Sequence, residues 1–262
     1  MGRVAADVSR LLAGAKLRVG QQQVTARWEL FPEPLRRYLR FAILDGAPAI
    51  GTARLKHDGC FRTKPGARWF PIQGEECFTV ASPGFVWQAR MRVAPLLWVD
   101  ACDRLIAGHG KMLVKFNSLV TLADAGGPEI NQAAHARWLS EAVWFPPAFA
   151  GPLFEWKHID RHSARVTLEC QGAPVSAVVE FDGEGKAVCI SGERYRSTGR
   201  SQAVLTPWLG KCSDYREIGG MRVPSSVEAL WRLPEGEFSY ARFRVTDLEY
   251  NVAAPASERL YR

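Results

Sequence analysis

The run His158-Ile159-Asp160-Arg161-His162 carries the most site-like chemistry in this chain. Two imidazoles and a carboxylate are a ligand set suited to zinc or iron. On an extended strand His158, Asp160 and His162 project to the same side. They span more than one metal radius there, so holding a single ion requires the strand to bend. A polar loop leading into a strand is the other reading of the run. Arg137 and Glu141 stand one helical turn apart, the spacing of an i, i+4 ion pair. Beside Trp87, Trp138 and Trp144 they would form a polar anchor at the edge of a pocket, with Arg194 as a second cation. In an enzyme Glu141 or Asp103 would instead act as general acid or base, raised in pKa by apolar neighbours. The chain holds no G-x-S-x-G or H-E-x-x-H to go with them. Gly108-His109-Gly110 and Gly126-Gly127 read as turn glycines, because neither sits in the strand–loop–helix unit that cradles phosphate.

These residues need elements to position them. A helix over Asn131 to Val143 is predicted by Ala134, Trp138, Leu139, Ala142 and Val143, which share one helical face. The prolines of Trp144-Phe145-Pro146-Pro147 end it. Two further helices are expected, Met1 to Leu17 and Glu33 to Leu44, the second with Pro34 in its first turn. From Ile50 onward the period changes to two. Strands are expected after Thr52, up to a turn at Asp58-Gly59, then at Arg68 to Ile72, Glu76 to Ala81, Phe85 to Val93, Leu97 to Ala107 and Lys111 to Leu122. The clearest meander runs from Ser163 to Tyr195. There Ala164, Val166, Leu168 and Cys170 alternate with Arg165, Thr167 and Glu169, and Gln171-Gly172-Ala173-Pro174 turns the chain. Later strands are expected at Ala203 to Trp208, Val227 to Leu233 and Phe238 to Tyr250.

A lone helix among antiparallel strands needs a sheet to cover its stripe. The expected fold class is therefore mainly β (α+β): a curved antiparallel sheet, or half-barrel, wrapped over a central helix. Residues 1–48 form a helical segment packed on the domain, 49–251 one β domain with the helix 131–143 inserted, and 252–262 a tail. With 262 residues and 47% apolar content, the chain can bury one large core.

Net charge is +7, yet no Lys/Arg block exceeds two consecutive residues, so no nucleic-acid partner is expected. The basic N-terminal helix either packs on its own domain or makes peripheral contact with an anionic membrane. Six cysteines lie at 60, 77, 102, 170, 189 and 212 without a C-x-x-C pair. They read as reduced thiols of a cytoplasmic protein. No cofactor is expected. Nine tryptophans are many for this length, and indoles suit an apolar pocket with a polar rim.

Several segments together resemble a large family of uncharacterised bacterial proteins. They are Leu35 to Leu39, Gly84 to Trp87, Asp103 through Gly108-His109-Gly110, Arg137 to Glu141 with Trp144 and Pro146, Phe181-Asp182 with Gly185, Arg194-Tyr195 and Pro207-Trp208. Trp156 and Asp160 also match that pattern, whereas His158 and His162 fall outside it. The resemblance implies a topology similar to LolA/LolB-type lipoprotein carriers, and it implies no catalytic residues. The function expected is binding of an apolar or amphipathic small molecule, such as a lipid. Trp87, Trp138 and Trp144 would line its cavity, with Arg137, Glu141 and Arg194 at the polar edge. One alternative is a hydrolase or isomerase using Glu141, Asp103 or a metal at His158, Asp160 and His162. The other is a non-catalytic scaffold with a filled core.

Overall fold

Alternating apolar residues place one face of nearly every segment after Thr52 against a common core, and these segments join edge to edge. The computed structural model of the protein describes residues 2–13, 15, 28–169, 174–197 and 203–253. Among them, thirteen antiparallel strands form a single sheet. The first six are β1 (Thr52–Phe61), β2 (Phe70–Thr79), β3 (Gly84–Ala94), β4 (Leu97–Ile106), β5 (His109–Phe116) and β6 (Val120–Gly126). The other seven are β7 (Phe154–His158), β8 (Ser163–Leu168), β9 (Val175–Phe181), β10 (Ala187–Ser197), β11 (Ala203–Ile218), β12 (Met221–Leu233) and β13 (Gly236–Tyr250). The order is β6-β5-β4-β3-β2-β1-β13-β12-β11-β10-β9-β8-β7. Two meanders thus meet at a β1–β13 seam, and the chain crosses from one outer edge to the other between β6 and β7.

That crossing is made by the central helix. Helices α1 (Gly2–Ala13) and α2 (Glu33–Ala42) precede the sheet, and α3 (Pro128–Glu141) crosses it. On one side α3 packs against β4 and β5, and on the other against β9 and β10. Two 3-10 turns, Ala142–Trp144 and Pro146–Ala150, carry the chain on beneath the sheet. The core lies there: Trp138, Leu139, Phe145 and Phe149 are fully buried against Phe78, Phe85, Leu105 and Leu168. Trp138 stacks on Phe154, with ring centroids 5.7 Å apart, and its indole N–H donates to the Thr79 carbonyl at 3.0 Å.

The two leading helices cap the domain. Leu35, Tyr38, Leu39 and Ala42 of α2 are buried. The apolar stripe of α1, Val8, Leu11 and Leu12, packs on Cys77 and Val86. Those two residues alternate with Phe78 and Phe85, so α1 covers the opposite face of the sheet. Asp7 and Arg104 fasten it there.

Several boundaries differ from those expected. The helix begins earlier, at Pro128, and its last residues continue as a 3-10 turn. Asp58-Gly59 does not turn; it lies inside β1, where Gly59 pairs with both Phe243 and Ile72. Gly59 has φ 152°, and a Cβ there would stand 2.0 Å from the Arg242 carbonyl oxygen, so the glycine serves the close approach of β13. The strands expected at Arg68 to Ile72 and Glu76 to Ala81 are one, β2. The strand expected over Lys111 to Leu122 splits into β5 and β6 at Asn117-Ser118, both with positive φ. Gly110, expected in a turn, lies in β5. A long β11–β12 hairpin turns at Gly219-Gly220, extending strands expected to stop at Trp208 and to start at Val227. Cys170, the turn at 171–173, Lys16, Leu17 and the tail from 254 onward lie outside the described residues. Among the described residues the other five cysteines form no disulfide.

Replacing Gly59 by alanine should lower the unfolding free energy by more than about 1 kcal/mol, measured as a shift of the urea midpoint. Gly183→Ala, where an added methyl meets nothing within 4 Å, should leave the midpoint nearly unchanged.

Candidate functional site

Three rows of inward-facing side chains, one rung of the sheet after another, explain where the space under the sheet lies. The row nearest the core joins Leu55, Glu76, Trp87, Asp103 and Met112 across β1 to β5. The next joins His57, Gly74, Ala89, Ala101 and Val114. The third joins Gly59, Ile72, Met91, Val99 and Phe116. The middle row is built largely of small residues. On the helix side Ala133 and Ala134 of α3 line the same space, Ala134 over Gly110 of β5, while its bulky Trp138 and Leu139 fill the core. With small residues on both walls, a cavity of about 510 Å³ remains. Its far wall comes from the second meander, including Ile190, Trp208, Val227, Trp231 and Phe243.

One end of this cavity is polar. Arg137 reaches from α3 onto the first row. It donates from Nη2 to Glu76 Oε2 at 2.8 Å, from Nη1 to Asp103 Oδ2 at 3.1 Å and from Nε to Glu141 Oε1 at 2.8 Å. Its guanidinium lies 4.8 Å from the ring centroids of both Phe85 and Trp87, which adds cation–π attraction. Three carboxylates thus surround one cation. Burial pushes the pKa values of Glu76, Asp103 and Glu141 up, Glu76 well above the ordinary carboxylate value, while Arg137 pulls each the other way. The neighbouring charges of Glu141 and Asp103 push Glu76 further up.

His57 stands behind this row. Burial, and then the nearby charge of Arg137, depress its pKa to about 4. The neutral imidazole accepts the Trp87 indole N–H at Nε2, 2.9 Å away, and stacks on Phe243 with centroids 4.3 Å apart. Gly74 makes the room: a Cβ there would lie 2.4 Å from His57 Nε2.

Trp87, Trp144, Arg137, Glu141, Arg194 and Asp103 all line the cavity. Trp138 does not, because its ring lies on the core side of α3 against Phe145 and Phe154. The expected one-sided strand over His158, Asp160 and His162 is not formed. β7 ends at His158, and the Asp160 carboxylate accepts the backbone N–H of His162 at 2.8 Å, turning the chain. Among the described residues no group of three or more His, Cys, Asp or Glu can hold a metal ion. Glu76 and His57 escaped the sequence reading. Reading residues 70–79 as one strand would have placed Glu76 on the same face as Ile72 and Phe78.

The chain belongs to the family of unknown function DUF6544, whose pattern matches residues 21–243. No curated protein matches it. Among solved structures it is similar to a LolA superfamily protein from Nitrosomonas europaea, with 8% identity, 90% of this chain and 96% of that one covered, and a TM-score of 0.46. It is also similar to a DUF1329 family protein from Desulfovibrio piger, with 10% identity, coverage of 87% and 93%, and a TM-score of 0.44.

Removing Arg137 would strand buried carboxylates, so Arg137→Met should cost about 3–5 kcal/mol in urea unfolding at pH 7. Glu76, whose proton burial makes harder to release, has its own signature. The folded state keeps that proton at pH values where the unfolded chain has released it, so this group's contribution falls as pH rises above its unfolded value. As pH rises above about 5 the wild type should therefore lose more stability than Glu76→Gln, which carries no titrating proton there. Parallel profiles would show that Glu76 is ionised.

Proposed function

We propose that this chain binds an apolar or amphipathic small molecule, such as a lipid, in the cavity between α3 and the curved sheet. The observation that supports the reading is the cavity itself: about 510 Å³, walled by Ala101, Met91, Val99 and Phe243, and charged at one end. That size and lining suit a small organic ligand. The carboxylates an enzyme would use are already engaged by Arg137.

The cavity extends toward the end of the sheet where β3 turns into β4 and β5 into β6. Exposed apolar side chains gather at that end. Leu96 is 86% and Leu119 81% exposed, Leu97 and Val120 next to them in the chain are exposed, and so are Val204 and Leu205 at the start of β11. Asn117 ties the two hairpin tips, accepting the Trp98 N–H at 2.9 Å and donating to the Leu96 carbonyl at 3.3 Å. Arg92 and Lys115 lie on the strands that lead into these tips. A rim of this kind suits peripheral contact with an anionic membrane, from which an amphiphile would enter. Among the described residues no helix is long and apolar enough to cross a membrane. The stripe of α1 is spent on the sheet, which leaves the contact to the hairpin tips.

A fluorescent acyl probe carried in anionic vesicles tests both parts. Wild type should extract the probe to a single saturable site. Ala101→Trp, which fills the middle row, should weaken binding of free probe at least tenfold. Leu96→Ser/Leu119→Ser should bind free probe normally and extract it more slowly from vesicles. Equal binding by wild type and Ala101→Trp would refute the cavity as the site.

A further inference from the structure

We infer that Arg194 and Arg196 grip the anionic head of the ligand, a carboxylate or a phosphate, while its tail lies on the apolar wall. The inference rests on the cavity reading above and adds the class of molecule bound. Both residues belong to β10 and stand two apart, so they share one face of the strand, and both line the cavity. Glu193, between Gly192 and Arg194, is exposed. The strand is held in register by Gln132 of α3, which donates to the Glu193 carbonyl at 2.9 Å and accepts the Tyr195 N–H at 3.3 Å.

Every other cation on the cavity wall has a partner. Arg104 pairs with Asp7, Lys111 with Asp124, and Arg137 with its three carboxylates. Arg62 donates to the Ser239 carbonyl at 2.6 Å and lies over Trp69. Arg194 and Arg196 form no ion pair among the described residues, and the Nε of each is buried without a hydrogen-bond partner. Arg196 lies 5.9 Å over the Trp231 ring, which attracts its charge and satisfies no N–H. Arg194 feels Asp103 and Glu141 electrostatically, but both carboxylates are committed to Arg137.

Charge decides the sign of the ligand. Six cationic and three acidic residues border the cavity, and of the cations Arg104 and Lys111 share the face of the sheet that carries α1. The third acid, Glu228, is already held by Arg242 at 2.8 Å and Ser239 at 2.6 Å. A cationic head would meet two unneutralised guanidiniums. An anionic one would meet two planar forks matched to its oxygens, and would supply the acceptors that the buried Nε groups lack.

Titration calorimetry with dodecanoate, dodecyl phosphate, dodecanol and dodecylamine separates head from tail. The anionic pair should bind at least tenfold tighter than dodecanol, and dodecylamine weakest. In Arg194→Gln/Arg196→Gln the anionic preference should shrink to within about threefold, with dodecanol affinity unchanged, which also shows that the variant is folded. Whichever of dodecanoate and dodecyl phosphate binds tighter names the head group. Dodecanol binding as tightly as dodecanoate, or a double variant that keeps the preference, would overturn the head-group assignment and leave the cavity standing. Binding of none of the four would overturn the cavity reading and this one with it. Inorganic phosphate binding as tightly as dodecyl phosphate would overturn the role of the tail.

Discussion

Arg137 is the pin on which the interior turns. One guanidinium on α3 reaches Glu76 on β2, Asp103 on β4 and Glu141 on its own helix, all at 2.8–3.1 Å. Charges removed from water tolerate little slack, because a lost partner leaves an uncompensated charge in a poor dielectric. The helix is therefore held at a fixed height and register over the sheet. Trp138, the next residue, goes to the core side, and Ala133 and Ala134, one turn earlier, line the cavity. Hydrophobic groups of the same volume could be as stabilising as this cluster. What the charges add is position: a filled apolar contact could slide, and a three-way clamp cannot.

Topology leaves the remaining space. A thirteen-stranded sheet curved into a trough presents far more inner surface than one helix can cover. α3 has 14 residues and is therefore about 21 Å long. With its following 3-10 turns it seals the core end, where Phe145, Phe149 and Trp144 lie. The hairpin end stays open. Closing the trough into a barrel would need β6 and β7 to meet, and α3 lies between them in the chain. These edge strands are short, seven and five residues, which limits edge-to-edge pairing with another molecule.

Much of this was readable from residue types. Alternation of Ala164, Val166 and Leu168 with Arg165 and Thr167 gave β8 its faces, and the stripe ending at Trp144-Phe145-Pro146-Pro147 marked the one helix inside the sheet. Arg137, Glu141 and Arg194 were legible as polar groups near tryptophans because helical spacing joined the first two. Register was not legible. Periodicity gives each strand its two faces, but not which rung of its neighbour it meets, so the row Glu76–Trp87–Asp103 was invisible. Asp58-Gly59 read as a turn because the pair usually makes one; here the glycine answers to the Arg242 carbonyl, a contact from the far end of the chain. Trp138 was assigned to the cavity because a helix stripe does not say which of two apolar spaces it faces. The His158–His162 run failed as a strand because the Asp160 carboxylate bonds locally to backbone and turns the chain.

We propose that a hydrocarbon chain occupies the apolar space that the fixed helix leaves. Crystals of the protein grown with 12-bromododecanoate test it by anomalous scattering from bromine. One bromine peak is expected between α3 and the sheet, against the apolar wall that holds Met91, Val99 and Phe243. Bromine found only on the outer face, with side chains closed over the space beneath α3, would contradict it.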